Sequence, residues 1–338
     1  MVKLSKKAFL LCLFSGSGLL ASIVFFWQGL NSPMSIAQTG EWLDVQPGTS
    51  MSQLAVELSD RGFFKFPYVL AIYGRLSGQA TRIKAGEYLV QPETTAKTLL
   101  MDLVDGNVHL HQITFIEGWR YSELITALLE HDAINASGFE SETIMETLGY
   151  PELHPEGQFF PDTYRFSRGT TAISILRQAH IALTDRLNLA WSDYPSGNIL
   201  ETPYEALILA SIIEKETRVP EERSRISGVF HRRLELDMRL QTDPTVIYGL
   251  GDDYDGTLDR EDLAQDTPYN TYRRNGLPPS PIALVGQASL SAAVNPDTGS
   301  EIYFVATGRD DGSHYFSTTL QEHNSAVARY LIELESTN

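Results

Sequence analysis

The sequence predicts an α+β protein: a single N-terminal transmembrane helix, a small α+β subdomain and a larger mixed α+β domain. Three observations carry this. The chain holds 23 uncharged, largely apolar residues from Ala8 to Leu30. Beyond that run, short helical periodicities are interspersed with short strand signals, and no internal repeat is present. Finally, 338 residues at 42% hydrophobic are enough for one large domain or two ordinary ones with real cores, too apolar for a disordered chain.

The apolar run would extend roughly 34 Å as a helix, enough for a hydrocarbon core of about 30 Å. Lys3, Lys6 and Lys7 precede it and nothing basic follows closely, so the positive-inside rule keeps the N-terminus cytoplasmic and exports the rest. A cleaved signal peptide is the alternative, with Ser35-Ile36-Ala37 as its small-x-small site, but its apolar stretch is ordinarily about 7–15 residues. Residues 1–7 are thus a cytoplasmic stub, 8–30 the span and 31–43 a tether. Cys12, the sole cysteine, lies within the span, so no intramolecular disulfide framework or multi-cysteine zinc site exists.

Residues 44–107 read as the small subdomain. Ser50 is placed to N-cap a helix burying Leu54, Ala55 and Leu58, and Gly62 stops it. A second helix follows Pro67, a turn and strand run from Lys84 to Val90, and a helix from Thr95 to Val104 ends at Gly106. Residues 108–338 form the larger domain. A strand His111–Ile116 leads to a helix from Tyr121 to His131, then to a loop-rich stretch and an amphipathic helix from Thr170 to Leu189. Tyr204–Thr217 is apolar almost all round and so must be a central, buried helix. Pro220 starts the next helix, with Glu221 and Glu222 favourably placed in its first turn. Strand signals follow at Thr245–Tyr248, Ile302–Ala306 and His314–Phe316, and helices near Ser289–Val294 and Gln321–Leu334.

Charge and residue spacing exclude several functions. The net charge of −17 divides into a basic stub and a body, residues 41–338, at −20. Such a body lacks the clustered cations that nucleic-acid phosphates require. No HExxH, P-loop, dinucleotide fingerprint or G-x-S-x-G elbow occurs. His109 and His111 share a strand face without a third ligand, and the acidic loop Gly251–Asp262 has the wrong terminal residues for an EF-hand. No metal or cofactor is expected.

One carboxylate pair is oddly placed. Glu214-Lys215-Glu216 ends the all-apolar helix, so an acid is delivered to the edge of a hydrophobic core. Residues two apart on a helix point about 200° away from each other, so only one faces a given pocket. Desolvation and the negative helix end would raise that acid's pKa, as a general acid needs, while Lys215 and Arg218 oppose the shift. An ordinary polar helix end is the alternative. Gln241, Thr242 and Asp243 cluster before a turn proline, and Tyr269-Asn270-Thr271-Tyr272 precedes Gly276-Leu-Pro-Pro-Ser-Pro281. Amides, hydroxyls and aromatic rings of this kind suit a sugar-binding groove.

The small subdomain resembles LysM-like glycan-binding modules. More specifically, the chain strongly resembles the endolytic murein transglycosylase family (YceG-like, MltG). The resemblance rests on Glu156-Gly-Gln-Phe-Phe-Pro-Asp-Thr-Tyr164, Ala210-Ser-Ile-Ile-Glu-Lys-Glu-Thr217, Met238-Arg-Leu-Gln-Thr-Asp-Pro-Thr-Val-Ile-Tyr-Gly249, Tyr269-Asn-Thr-Tyr272 with Gly276-Leu-Pro-Pro279, and the closing Tyr303-Phe-Val-Ala306, His314, Phe316 and His323-Asn324. It implies an inner-membrane protein with a periplasmic catalytic domain that cuts nascent glycan strands internally, leaving 1,6-anhydro-muramyl ends and so terminating elongation. It also implies Glu216 as the catalytic acid and wall-synthesising polymerases as partners, although no surface in the sequence identifies one. Gln241, Asp243, Asn270 and Tyr272 are the candidate substrate-binding residues, with Asp243 favouring both a protonated Glu216 and a sugar cation. A hydrolytic muramidase and a non-catalytic, membrane-tethered wall-binding adaptor are the competing readings.

Overall fold

The computed structural model describes residues 6–192, 194–195 and 198–337, with backbone alone for 6–17 and 335–337. The described chain packs as two units, one running through His111 and including Phe166–Gly169, the other comprising 112–165 and 170–338.

The first unit begins with α1 (Lys6–Asn31). Among the described residues no helix is long and apolar enough to cross a membrane. The span expected over 8–30 falls partly on residues 8–17, whose side chains lie outside the description, as does most of the stub over 1–7. The remainder is β1 (Glu41–Val45), α2 (Met51–Asp60), α3 (Pro67–Leu76), β2 (Gly86–Val90) and α4 (Ala96–Asp105). Strands β1 and β2 pair antiparallel, Leu43 opposite Tyr88. Ser50 caps α2 as expected, in a reciprocal box with Gln53, and Gly106 ends α4 with φ 79°. Leu43, Leu54, Leu58, Leu70 and Leu103 are wholly buried in its core. The segment read as a tether is packed: Met34 is buried and its N–H donates to the Thr94 carbonyl. His109 and His111 make ring contact, and His111 pairs with Glu87, which also takes Arg168, so these histidines belong to a surface network.

The second unit contains β3 (His111–Thr114, most of which it holds), α5 (Tyr121–Glu130), α6 (Ile144–Leu148), β4 (Thr163–Phe166), α7 (Ala172–Ser192), α8 (Pro203–Glu216), α9 (Arg223–Glu235), α10 (Asp243–Leu250), α11 (Arg260–Ala264), α12 (Gln287–Val294), β5 (Tyr303–Ala306), β6 (His314–Ser317) and α13 (Leu320–Thr337). Each sheet is two-stranded: β3 with β4, and β5 antiparallel to β6. The α+β expectation is met.

Helix α8 is the axis of this unit. Thr202 caps it in a box with Glu205, Pro203 occupies the first turn, and every side chain from Ala206 to Ile213 is buried. Helices α7, α9, α10 and α12 surround it. Each large apolar side chain so buried contributes about 1.5–3 kcal/mol, so packing holds this helix to its last turn and fixes where its C-terminus emerges.

The strand expected at Thr245–Tyr248 is instead part of α10. Its β-branched run imitates a strand, but Pro244 in the first turn and Asp243 at the N-terminus start a helix, and Thr245 turns its hydroxyl back to the Thr242 carbonyl at 2.8 Å.

Candidate active site

Glu216 is the last residue of α8, and its two neighbours are turned elsewhere. Glu214 accepts the Gly286 N–H at 3.0 Å, and Lys215 donates to the Gly118 carbonyl at 3.1 Å. Glu216 alone of the three faces a cleft of about 500 Å³, lined also by Arg233, Gln241, Asp243, Tyr272, Tyr303 and His323. On its other side it lines a second cavity of about 750 Å³, bounded by Glu117, Trp119, Glu214, Arg218 and Arg223. Glu216 and His314 are the two residues common to both.

The Glu216 carboxyl accepts a hydrogen bond from the Thr242 hydroxyl. Its pKa is pushed up to about 7, chiefly by burial; the Thr242 bond lowers it, the Asp243 carboxylate raises it and the Arg233 guanidinium lowers it. The residue is only half-buried, so protein surrounds the carboxyl densely while the cleft still reaches it. The predicted direction of the shift is therefore met, with desolvation as its main cause. Arg233 supplies the opposing charge in place of Lys215 and Arg218.

Thr242 is positioned by hydroxyls. Its backbone N–H donates to the Thr271 hydroxyl at 3.1 Å, and the Thr245 and Thr271 hydroxyls meet at 2.9 Å. Asp243 accepts from the Tyr272 hydroxyl at 2.6 Å, and burial and that carboxylate hold Tyr272 protonated. Gln241 lines the cleft from a left-handed backbone, φ 50°, where its N–H donates to the Thr271 carbonyl. Such a conformation is costly for a side-chain-bearing residue and fixes its direction.

Of the predicted polar residues, the structure thus brings Gln241, Asp243 and Tyr272 to the cleft with Glu216. Asn270 is not brought there. It is fully buried; its amide donates to the Leu263 and Gln265 carbonyls and its oxygen accepts the Tyr272 N–H. Asn270 holds the loop that carries Tyr272 and does not line the cleft.

Sequence reasoning missed three groups. Arg233 of α9 is buried and donates to the Ile302 carbonyl at 2.7 Å and the Leu240 carbonyl at 2.6 Å. His314 is held by Glu222. Glu156 lies buried behind α10, accepting the Tyr121 N–H at 2.9 Å and the Tyr248 hydroxyl at 3.2 Å. Among the described residues no cluster fit to hold a metal ion is present.

Burial pushes the Glu156 pKa up to about 7, against hydrogen bonds from Tyr121 and Tyr248. A carboxyl whose folded pKa exceeds its unfolded value contributes stability that is complete below the unfolded pKa and is lost as pH rises through the folded one. Glu156→Gln imitates the protonated acid, so it should match the parent near pH 4 and exceed it by about 3 kcal/mol at pH 8. Urea midpoints between pH 4 and 8 check this; a difference independent of pH would contradict it.

The comparisons with known proteins agree with this architecture. Residues 43–329 match the YceG-like family model. An endolytic murein transglycosylase of Bacillus subtilis is 30% identical over 308 residues, 86% of this chain and 84% of that protein. One of Streptococcus pneumoniae is 27% identical over 321 residues, 85% of this chain but 58% of that longer protein. A crystal structure of a YceG-like protein from Listeria monocytogenes superposes with a TM-score of 0.54 at 27% identity, covering 86% of this chain and 99% of that one. With a family match across most of its length, the chain belongs to the YceG-like family.

Proposed function

We propose that this chain is an endolytic peptidoglycan lytic transglycosylase, cleaving the MurNAc–GlcNAc bond of glycan strands with formation of 1,6-anhydro-MurNAc ends. One observation carries the reading: a carboxyl with its pKa near neutrality stands where two cavities meet. A strand laid through both cavities passes Glu216 in mid-chain, which suits internal cutting. Glu216 in its acid form donates its proton to the glycosidic oxygen, and the C1–O bond breaks with its electron pair going to that oxygen. The cation at C1 is closed by the sugar's own 6-hydroxyl, whose nearness replaces an attacking water. At the end of the cycle the proton that this hydroxyl loses is back on Glu216. Asp243 supplies negative charge beside the cation, and Tyr272 and Gln241 offer polar contacts to the sugar.

The time course of strand length tests the internal cut. Long uncrosslinked strands should give intermediate lengths before any disaccharide accumulates. Disaccharides released from the outset would contradict a cut in mid-strand.

Three further parts belong to this proposal. Residues 8–30 anchor the chain in the inner membrane, with the N-terminus cytoplasmic and the rest periplasmic; exposed Leu19, Leu20, Ile23, Val24 and Trp27 on α1 support this. Recovery of the chain in an alkaline wash, free of membranes, would refute it. The β1-α2-α3-β2 arrangement with its antiparallel pair supports a LysM-like glycan-binding subdomain. Wall-synthesising polymerases are proposed as partners, to be sought by crosslinking in growing cells.

A further inference from the structure

His314 opens β6 and shares with Glu216 the junction of the two cavities. Glu222 grips it twice: the His314 N–H donates to Glu222 Oε1 at 2.9 Å, and ring Nδ1 lies 2.7 Å from Oε2. Both side chains are about nine-tenths buried, at 10% and 11% exposure. Phe304 and Phe316 pack edge-on against the ring. A carboxylate only accepts, so Nδ1 carries the hydrogen, and in the neutral ring Nε2 is left as an acceptor. The ring nitrogen that Glu222 does not engage is then the basic one.

We propose that His314 is a second catalytic residue, whose Nε2 accepts the proton of the muramic acid 6-hydroxyl as that oxygen bonds to C1. This inference rests on the lytic reading above. When the strand binds, one Glu216 oxygen carries the proton to be delivered and the other is engaged by Thr242. While that proton is still on Glu216, His314 Nε2 offers the 6-hydroxyl an acceptor on a residue that lines the same two cavities. As Glu216 gives its proton to the leaving oxygen, the C1–O bond breaks, the 6-oxygen lone pair forms the new C1–O bond, and its proton passes to Nε2. Glu222 stabilises the resulting imidazolium, as a carboxylate does behind a catalytic histidine. The imidazolium then returns the proton to the Glu216 carboxylate, which restores both groups and balances the cycle.

The test uses the full chain in detergent micelles on uncrosslinked glycan strands, with turnover and the masses of new ends as readouts. His314→Ala should lower turnover about 100-fold, within the range for loss of a general base. It should also produce a share of hydrated, reducing ends, because water competes for a cation no longer met by a held hydroxyl. His314→Gln can accept the hydroxyl's hydrogen bond but cannot carry its proton, so it should restore the anhydro share without restoring turnover. Parent-like turnover and end type in His314→Ala would overturn the proposal. So would full restoration of turnover by His314→Gln, which would make the residue a structural prop. A parent chain that makes no anhydro ends would overturn the lytic reading itself, a result distinct from either.

Discussion

Glu216→Gln is expected to abolish glycan cleavage, by about 1,000-fold or more, while the chain stays folded and still binds glycan. An amide has no proton to give to the glycosidic oxygen, yet it fits the same space and can still accept from Thr242. Folding should not suffer at neutral or higher pH. The carboxyl's pKa, raised to about 7 chiefly by burial, means that its ionised form is disfavoured in the folded chain, and the amide removes that penalty. The parent enzyme should lose activity as pH rises through about 7, since the acid form is the working one. Glu214→Gln should be much milder, because Glu214 is occupied with the Gly286 N–H. Parent-like cleavage by Glu216→Gln with loss in Glu214→Gln would show that the other face of α8 does the chemistry.

Arg233→Met should be the most damaging change to stability near the cleft, costing about 3–5 kcal/mol. Hydrogen bonds from a charged donor are worth about 1.5–3 kcal/mol each, and the methionine would leave the Ile302 and Leu240 carbonyls without theirs. Those bonds tie α9 to β5 and to the segment entering α10, the two walls of the cleft. The second effect is electrostatic. Arg233 lowers the Glu216 pKa, so its removal should move the basic limb of the activity profile to higher pH. Chemical denaturation and a pH–rate profile read the two effects separately. Unchanged stability would mean that water or a neighbour satisfies both carbonyls.

Much of this site was legible in the sequence because one helix announces it. An all-apolar α8 ending in Glu-Lys-Glu can only be central, and its last turn can only bring acids to the edge of a core. What stayed hidden depends on long-range pairing. Glu222 looked like a favourable first-turn charge on α9, yet its partner His314 lies 92 residues further on. Arg233 is one of several arginines in α9, and the acceptors that single it out come from two separate segments. Asn270 misled in the opposite direction. An amide between two tyrosines suits a sugar groove, but carbonyls at the end of α11, of Leu263 and Gln265, claim it first. The Thr245–Ile247 run misled because β-branching speaks for a strand, and the proline and aspartate before it start a helix regardless.

The masses of the ends that the full chain creates on uncrosslinked glycan strands test the central claim most directly. A proton-carrying Glu216 with an intramolecular 6-hydroxyl acceptor predicts new muramyl ends lighter by one water than hydrolytic ends, formed from the start and absent in Glu216→Gln. New ends consisting only of the heavier, reducing form would contradict it and identify a hydrolase.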